Sequence, residues 1–70
     1  MEKKINCWDF GGGIWRLQLE GFPNITRKLK HRNLIKMGDG WRHGHIPVDL
    51  FDGPRRVVQK VVTDLKKGVI

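Results

Sequence analysis

Val57, Val58, Val61, Val62 and Leu65 recur at the spacing of one helix face, an arc of about 140° at roughly 100° per residue, and a stripe of that width must be covered by another layer. Asp52 is a good N-cap, Pro54 suits a first turn and Gly68 follows the last periodic residue, so the sequence predicts a helix over 54–67. Four valines lower intrinsic helix propensity, which makes this segment dependent on tertiary contact. A chain of 70 residues makes a single domain, 1–70, and folding at this size buries only about 60% of the surface the unfolded chain exposes. The covering layer therefore has to come from the residues that precede the helix.

Those residues read as strands. Along 3–10, Ile5 and Cys7 fall on one side and Asn6, Trp8 and Phe10 on the other; Gly11-Gly12-Gly13 offers a tight connection, and 14–20 returns with Trp15, Leu17 and Leu19 facing one way. Residues 21–24, Gly-Phe-Pro-Asn, form a turn. Gly38-Asp39-Gly40 between 34–37 and 41–46 reads as the turn of a second hairpin, and Pro47 ends that hairpin's second strand or confines it to an edge.

The stretch 25–32 is ambiguous. Asn24 could cap a helix, but on a helical wheel Ile25 and Leu29 lie far from Leu34 and Ile35, so no continuous stripe forms. As a strand it sets Ile25, Arg27, Leu29 and His31 on one face and Thr26, Lys28, Lys30 and Arg32 on the other, and the strand is preferred. The fold class expected is α+β: a small antiparallel sheet of two hairpins and four to five strands packed against one C-terminal amphipathic helix.

A composition 39% hydrophobic and 30% charged is that of a folding chain. The lone Cys7 cannot form an internal disulfide, and Glu2-Lys3-Lys4 leads into no long apolar run, so a reducing, cytoplasmic location without a signal peptide is expected. No stretch approaches the roughly 20 apolar residues of a membrane span, and no membrane partner is expected.

Fourteen Lys and Arg against seven Asp and Glu give a net charge of +7 and a pI near 10.2. That balance is the footprint of a nucleic-acid binder, and it also suits an acidic protein. Residues 21–38 carry Arg27, Lys28, Lys30, Arg32 and Lys36 and no acidic residue. On a strand, Lys28, Lys30 and Arg32 would stand roughly 6 to 7 Å apart along one basic sheet face, where phosphates gather by counterion release. Lysines also blunt exposed strand edges, which explains the same residues without a ligand. Arg56, Lys60 and Lys67 form a second basic face on the helix, bordered by Arg55 and Lys66, as on most amphipathic helices.

Of the three tryptophans, Trp15 is in register with Leu17 and Leu19 and reads as core, whereas Trp41, beside Arg42, reads as exposed and able to stack a base. His43-Gly44-His45 sets two imidazoles on one side of a strand, but no CxxC or HxxxH spacing accompanies them or His31, so no metal is expected. Gly11-Gly12-Gly13 is followed by no Lys-Ser or Lys-Thr and is not a phosphate loop. A small sheet backed by a C-terminal helix, with a basic sheet face, is similar in outline to the arm-binding domains of phage and transposon integrases, a likeness of architecture that no shared motif carries.

The function expected is a non-catalytic DNA or RNA binder without cofactors. Arg27, Lys28, Lys30, Arg32, Lys36 and Arg42 would hold phosphates, with Trp41 as a stacking platform. The alternative is a small accessory or inhibitory protein, of viral or mobile-element type, that docks on an acidic partner; a metal-dependent nuclease using His43 and His45 is the enzyme alternative.

Overall fold

In the computed structural model, which describes residues 3–70, the first hairpin forms as its alternation and glycines dictate; the first two residues of the expected 1–70 domain lie outside the described residues. β1 (Lys4–Gly11) pairs antiparallel with β2 (Ile14–Glu20), Ile5 opposite Leu19 and Cys7 opposite Leu17. Gly12 and Gly13 join them at φ 60° and 80°, the left-handed geometry that a two-residue turn matched to strand twist requires.

The second hairpin is longer than the sequence predicts and turns elsewhere. β3 (Ile35–His43) runs straight through Gly38-Asp39-Gly40, and Gly44-His45 connects it to β4 (Ile46–Pro54). The triplet is a bulge, inserted between the register pairs Met37–Leu50 and Trp41–Val48, where β4 supplies only Asp49. Bulges and turns both ask for positive φ, so Asp-Gly signals either. Gly38 has a further reason to lack a side chain: at φ 71°, a Cβ there would stand 2.5 Å from the Trp41 ring.

Pro47 neither ends β4 nor marks an edge. The sheet order is β1-β2-β4-β3, so β4 is central. The Pro47 carbonyl accepts the Gly21 N–H at 2.9 Å, and the N and O of one strand residue point to the same neighbour, so the missing donor falls where β2 has already ended.

Residues 25–32 hold no fifth strand. They form a short helix, α1 (Ile25–Leu29), and the turn that follows it. A strand is the wrong reading because a single helical turn needs no stripe reaching Leu34: Ile25 and Leu29 are one turn apart, and both are buried. Asn24 (φ 62°) and Asn33 (φ 57°) take the left-handed conformation on either side of this segment. The final helix, α2, spans Arg55–Lys67 and ends at Gly68 (φ 75°), where Gly68 and Val69 N–H groups donate to Leu65 and Asp64 carbonyls. Asp52 is not its cap. It lies in β4 and receives two bonds from Arg16, while Pro54 holds the N-cap position without a side-chain bond.

α2 lies across β1, β2 and β4. The sheet contributes Leu17, Leu19 and Phe51 to the core, α1 contributes Ile25 and Leu29, and α2 contributes Val58 and Val61. Trp15, Val62 and Leu65 pack against this cluster, as their periodicity predicts. No helix among the described residues is long and apolar enough to cross a membrane.

Leu17 is fully buried at the centre of the sheet. Leu17→Ala is expected to lower stability by about 3 kcal/mol, read from urea denaturation followed by circular dichroism. A loss under about 1 kcal/mol would contradict a core closed around this residue.

Candidate nucleic-acid interface

The topology sorts charge by layer. The two helices and the segment from Gly21 to Leu34 carry nine Lys and Arg (Arg27, Lys28, Lys30, Arg32, Arg55, Arg56, Lys60, Lys66 and Lys67) against one carboxylate, Asp64. The four strands carry four cations, Lys4, Arg16, Lys36 and Arg42, against five carboxylates, Asp9, Glu20, Asp39, Asp49 and Asp52. Essentially the whole net charge of the chain therefore belongs to the helical layer. The basic sheet face expected from sequence does not exist, because Lys28 lies on α1, and Lys30 and Arg32 on the turn after it.

Two distant stretches of sequence converge in that layer. His31, Arg32 and Asn33 meet Arg56, Val57, Lys60 and Val61 around a shallow cleft of about 270 Å³. Arg32 enters it already paired: its Nη1 donates to Asp64 Oδ2 at 2.9 Å, and Lys60 Nζ stands 3.8 Å from the other carboxylate oxygen. Asp64 is buried, so it ties the end of α1 to α2 as much as it neutralises charge. Arg27, Lys28, Lys30 and Arg56 are exposed and have no ion-pair partner among the described residues. α2 begins without an acidic residue in its first turn and without a side-chain cap, and Arg55 and Arg56 stand there instead. Cations at the positive end of the helix dipole add to the field that an anion would meet.

The remaining predicted residues lie elsewhere. Lys36, Trp41 and Arg42 belong to the edge strand β3. Trp41 and Arg42 line a second cleft with Asn24, Thr26, Asp39 and Asp49, and this cleft shares no residue with the first. By register Trp41 opposes Val48, on the side of the sheet that the helices leave uncovered, while the cleft it lines reaches Asn24, Ile25 and Thr26 at the start of α1, away from the cleft between Arg32 and Arg56. It is 48% exposed, as its neighbours in sequence predict. Lys36 faces Asp49. Burial pushes the Asp49 carboxyl above its ordinary value, and the Lys36 charge pulls it partly back.

Arg56 and Lys60 are legible in sequence as a helix face, but nothing local announces that His31 and Arg32 lie beside them. What these side chains supply is convergent positive charge with guanidinium and ammonium donors, a chemistry suited to phosphate or carboxylate groups. His43 and His45 are exposed at the tip of the second hairpin, and among the described residues no three His, Cys, Asp or Glu gather to hold a metal. The chain matches no protein-family model, no curated protein and no solved structure.

Because folding raises the Asp49 pKa, its contribution to stability is fully present below the ordinary value of 3.8 and is lost as pH rises through the folded value. Lys36→Ala removes the cation that restrains this rise. The variant is expected to show a higher Asp49 pKa by carboxyl NMR titration and a larger fall in stability between acid and neutral pH than the parent chain. An Asp49 pKa unmoved by the substitution would contradict the pairing.

Proposed function

We propose that this chain is a non-catalytic nucleic-acid-binding domain that grips the phosphate backbone with its helical layer. The observation that carries the reading is the segregation of charge: nine cations and one carboxylate on the two helices and the segment from Gly21 to Leu34, against a nearly neutral sheet. A net charge of +7 spread evenly would favour solubility and little else, whereas the same charge on one layer makes a field that draws a polyanion to one side. Arg27, Lys28, Lys30, Arg56 and Lys60 are the phosphate contacts in this reading. Arg32 acts through its bond to Asp64, positioning the end of α1 against α2.

Contacts of this kind read backbone and charge more than sequence. Binding is accordingly strong at low salt and weakly selective, and the exposed aromatic residues of the sheet take no part in it.

Five phosphate contacts give a slope of about −4.5 for log affinity against log salt on duplex DNA, and each of Arg27→Ala, Lys30→Ala and Arg56→Ala is expected to flatten it by about 0.9. Fluorescence anisotropy with a labelled duplex and a labelled single strand measures both. Failure to bind either oligonucleotide at low salt, or a slope that the three variants leave unchanged, would contradict the reading and favour an acidic protein as the anion.

A further inference from the structure

The sheet has a second face, which the helices leave uncovered. An antiparallel sheet with one covered face alternates apolar residues inward with polar residues outward. β4 departs from that pattern. Asp49, Phe51 and Gly53 point toward the helices, by their register with Leu19, Leu17 and Trp15, while Val48 and Leu50 point away. The neighbouring strands add Trp8, Ile14, Ile35, Met37 and Trp41 to the same outward side, again by register. Phe10 joins them, its ring 3.7 Å from the Arg16 guanidinium. Ile35 is 67% exposed, Phe10 51% and Trp41 48%. With Trp8 and Ile14, these residues leave on the order of 500 Å² exposed in all, spread across the face from one edge strand to the other.

We propose that this face is a self-association surface on which a second copy of the chain packs, sheet against sheet, about a two-fold axis. Charge selects the occupant. Lys4 and Glu20 are register partners, and Arg16 and Asp52 are bonded at 2.8 Å and 3.0 Å, so these four charges on the face cancel within one protomer. Two copies that meet through this face keep their basic helical layers on the two outer sides, as far apart as the pair allows, whereas a meeting of helical layers sets like charge against like. A polyanion or an acidic protein finds nothing here to attract it and is drawn to the opposite layer. The flat extent suits the task as well: the molecule measures 33 × 25 Å across its two longer axes, and an ordinary specific interface takes about 800 Å² from each partner. Aligned packing of two such sheets makes a sandwich with interdigitated aromatic and aliphatic side chains, its basic helices on the two outer sides. The proposal does not rest on the nucleic-acid reading, and it is tested without nucleic acid.

Sedimentation equilibrium of the full chain, from micromolar to millimolar concentration and at low and high salt, is expected to show a species of twice 8.1 kDa, with high salt strengthening it by screening the outer charges. Ile35→Glu and Phe10→Glu, both at exposed positions, are expected to weaken association at least about tenfold, and Val69→Glu, equally exposed but on the C-terminal segment, to leave it unchanged. The parent chain's mass decides the matter even if a variant folds poorly. Monomer mass at millimolar concentration, or a dimer indifferent to Ile35→Glu and Phe10→Glu while sensitive to Val69→Glu, would overturn the proposal.

Discussion

Leu17 stands opposite Phe51, and one residue earlier Arg16 stands opposite Asp52. The pairing of β2 with β4 in this register decides which side chains enter the core and which stay outside, because successive strand residues point to opposite faces. A slip of one residue would send Arg16 and Gln18 under α2 and leave Leu17 and Leu19 in water. The Arg16–Asp52 pair reinforces the register from the uncovered side: two bonds join the central strands, and Phe10 lies over the guanidinium. α2 has no independent claim to its shape. Its valines favour extended backbone, and Arg55 and Arg56 oppose its dipole, so its order comes from packing Val58 and Val61 on the sheet that this register creates.

Electrostatics follow from the same constraint. Once α1 and α2 share one face, the basic residues of 27–32 and 55–67 are forced into a common layer with Asp64 as the one carboxylate among them. Like charges so gathered repel, and the layer holds together because Ile25, Leu29, Val58 and Val61 are anchored beneath it and because Arg32 and Lys60 share Asp64. A surface of this kind is relieved by an anion. The sheet keeps its own charges balanced, and its outer face is left apolar and close to neutral.

Elements defined by local periodicity were legible from the residues. The alternation of 14–20, the glycines before it and the valine spacing of α2 each name their structure within a few residues, and the inward side of 14–20 follows from it, whereas 3–10 carries apolar residues on both sides and its inward side is set by pairing with β2. Elements defined by distant partners were not. α1 is a five-residue helix whose evidence is two buried side chains on a core assembled from elsewhere. Asp52 is as good a cap as it is an ion-pair partner, and only a strand 36 residues away decides between them. Gly38-Asp39-Gly40 asks for positive φ, which a bulge supplies as well as a turn does. The basic character of the candidate interface was visible in sequence, but its place was not, since Arg32 meets Arg56 only through the topology.

Amide chemical-shift mapping with a short duplex and a short single strand at low salt tests the charge-segregation account directly. Shifts concentrated on α1, residues 30–33 and the exposed side of α2, with Trp8, Phe10 and Trp41 silent, are expected. Shifts centred on those three aromatic residues, with the helices unmoved, would contradict it.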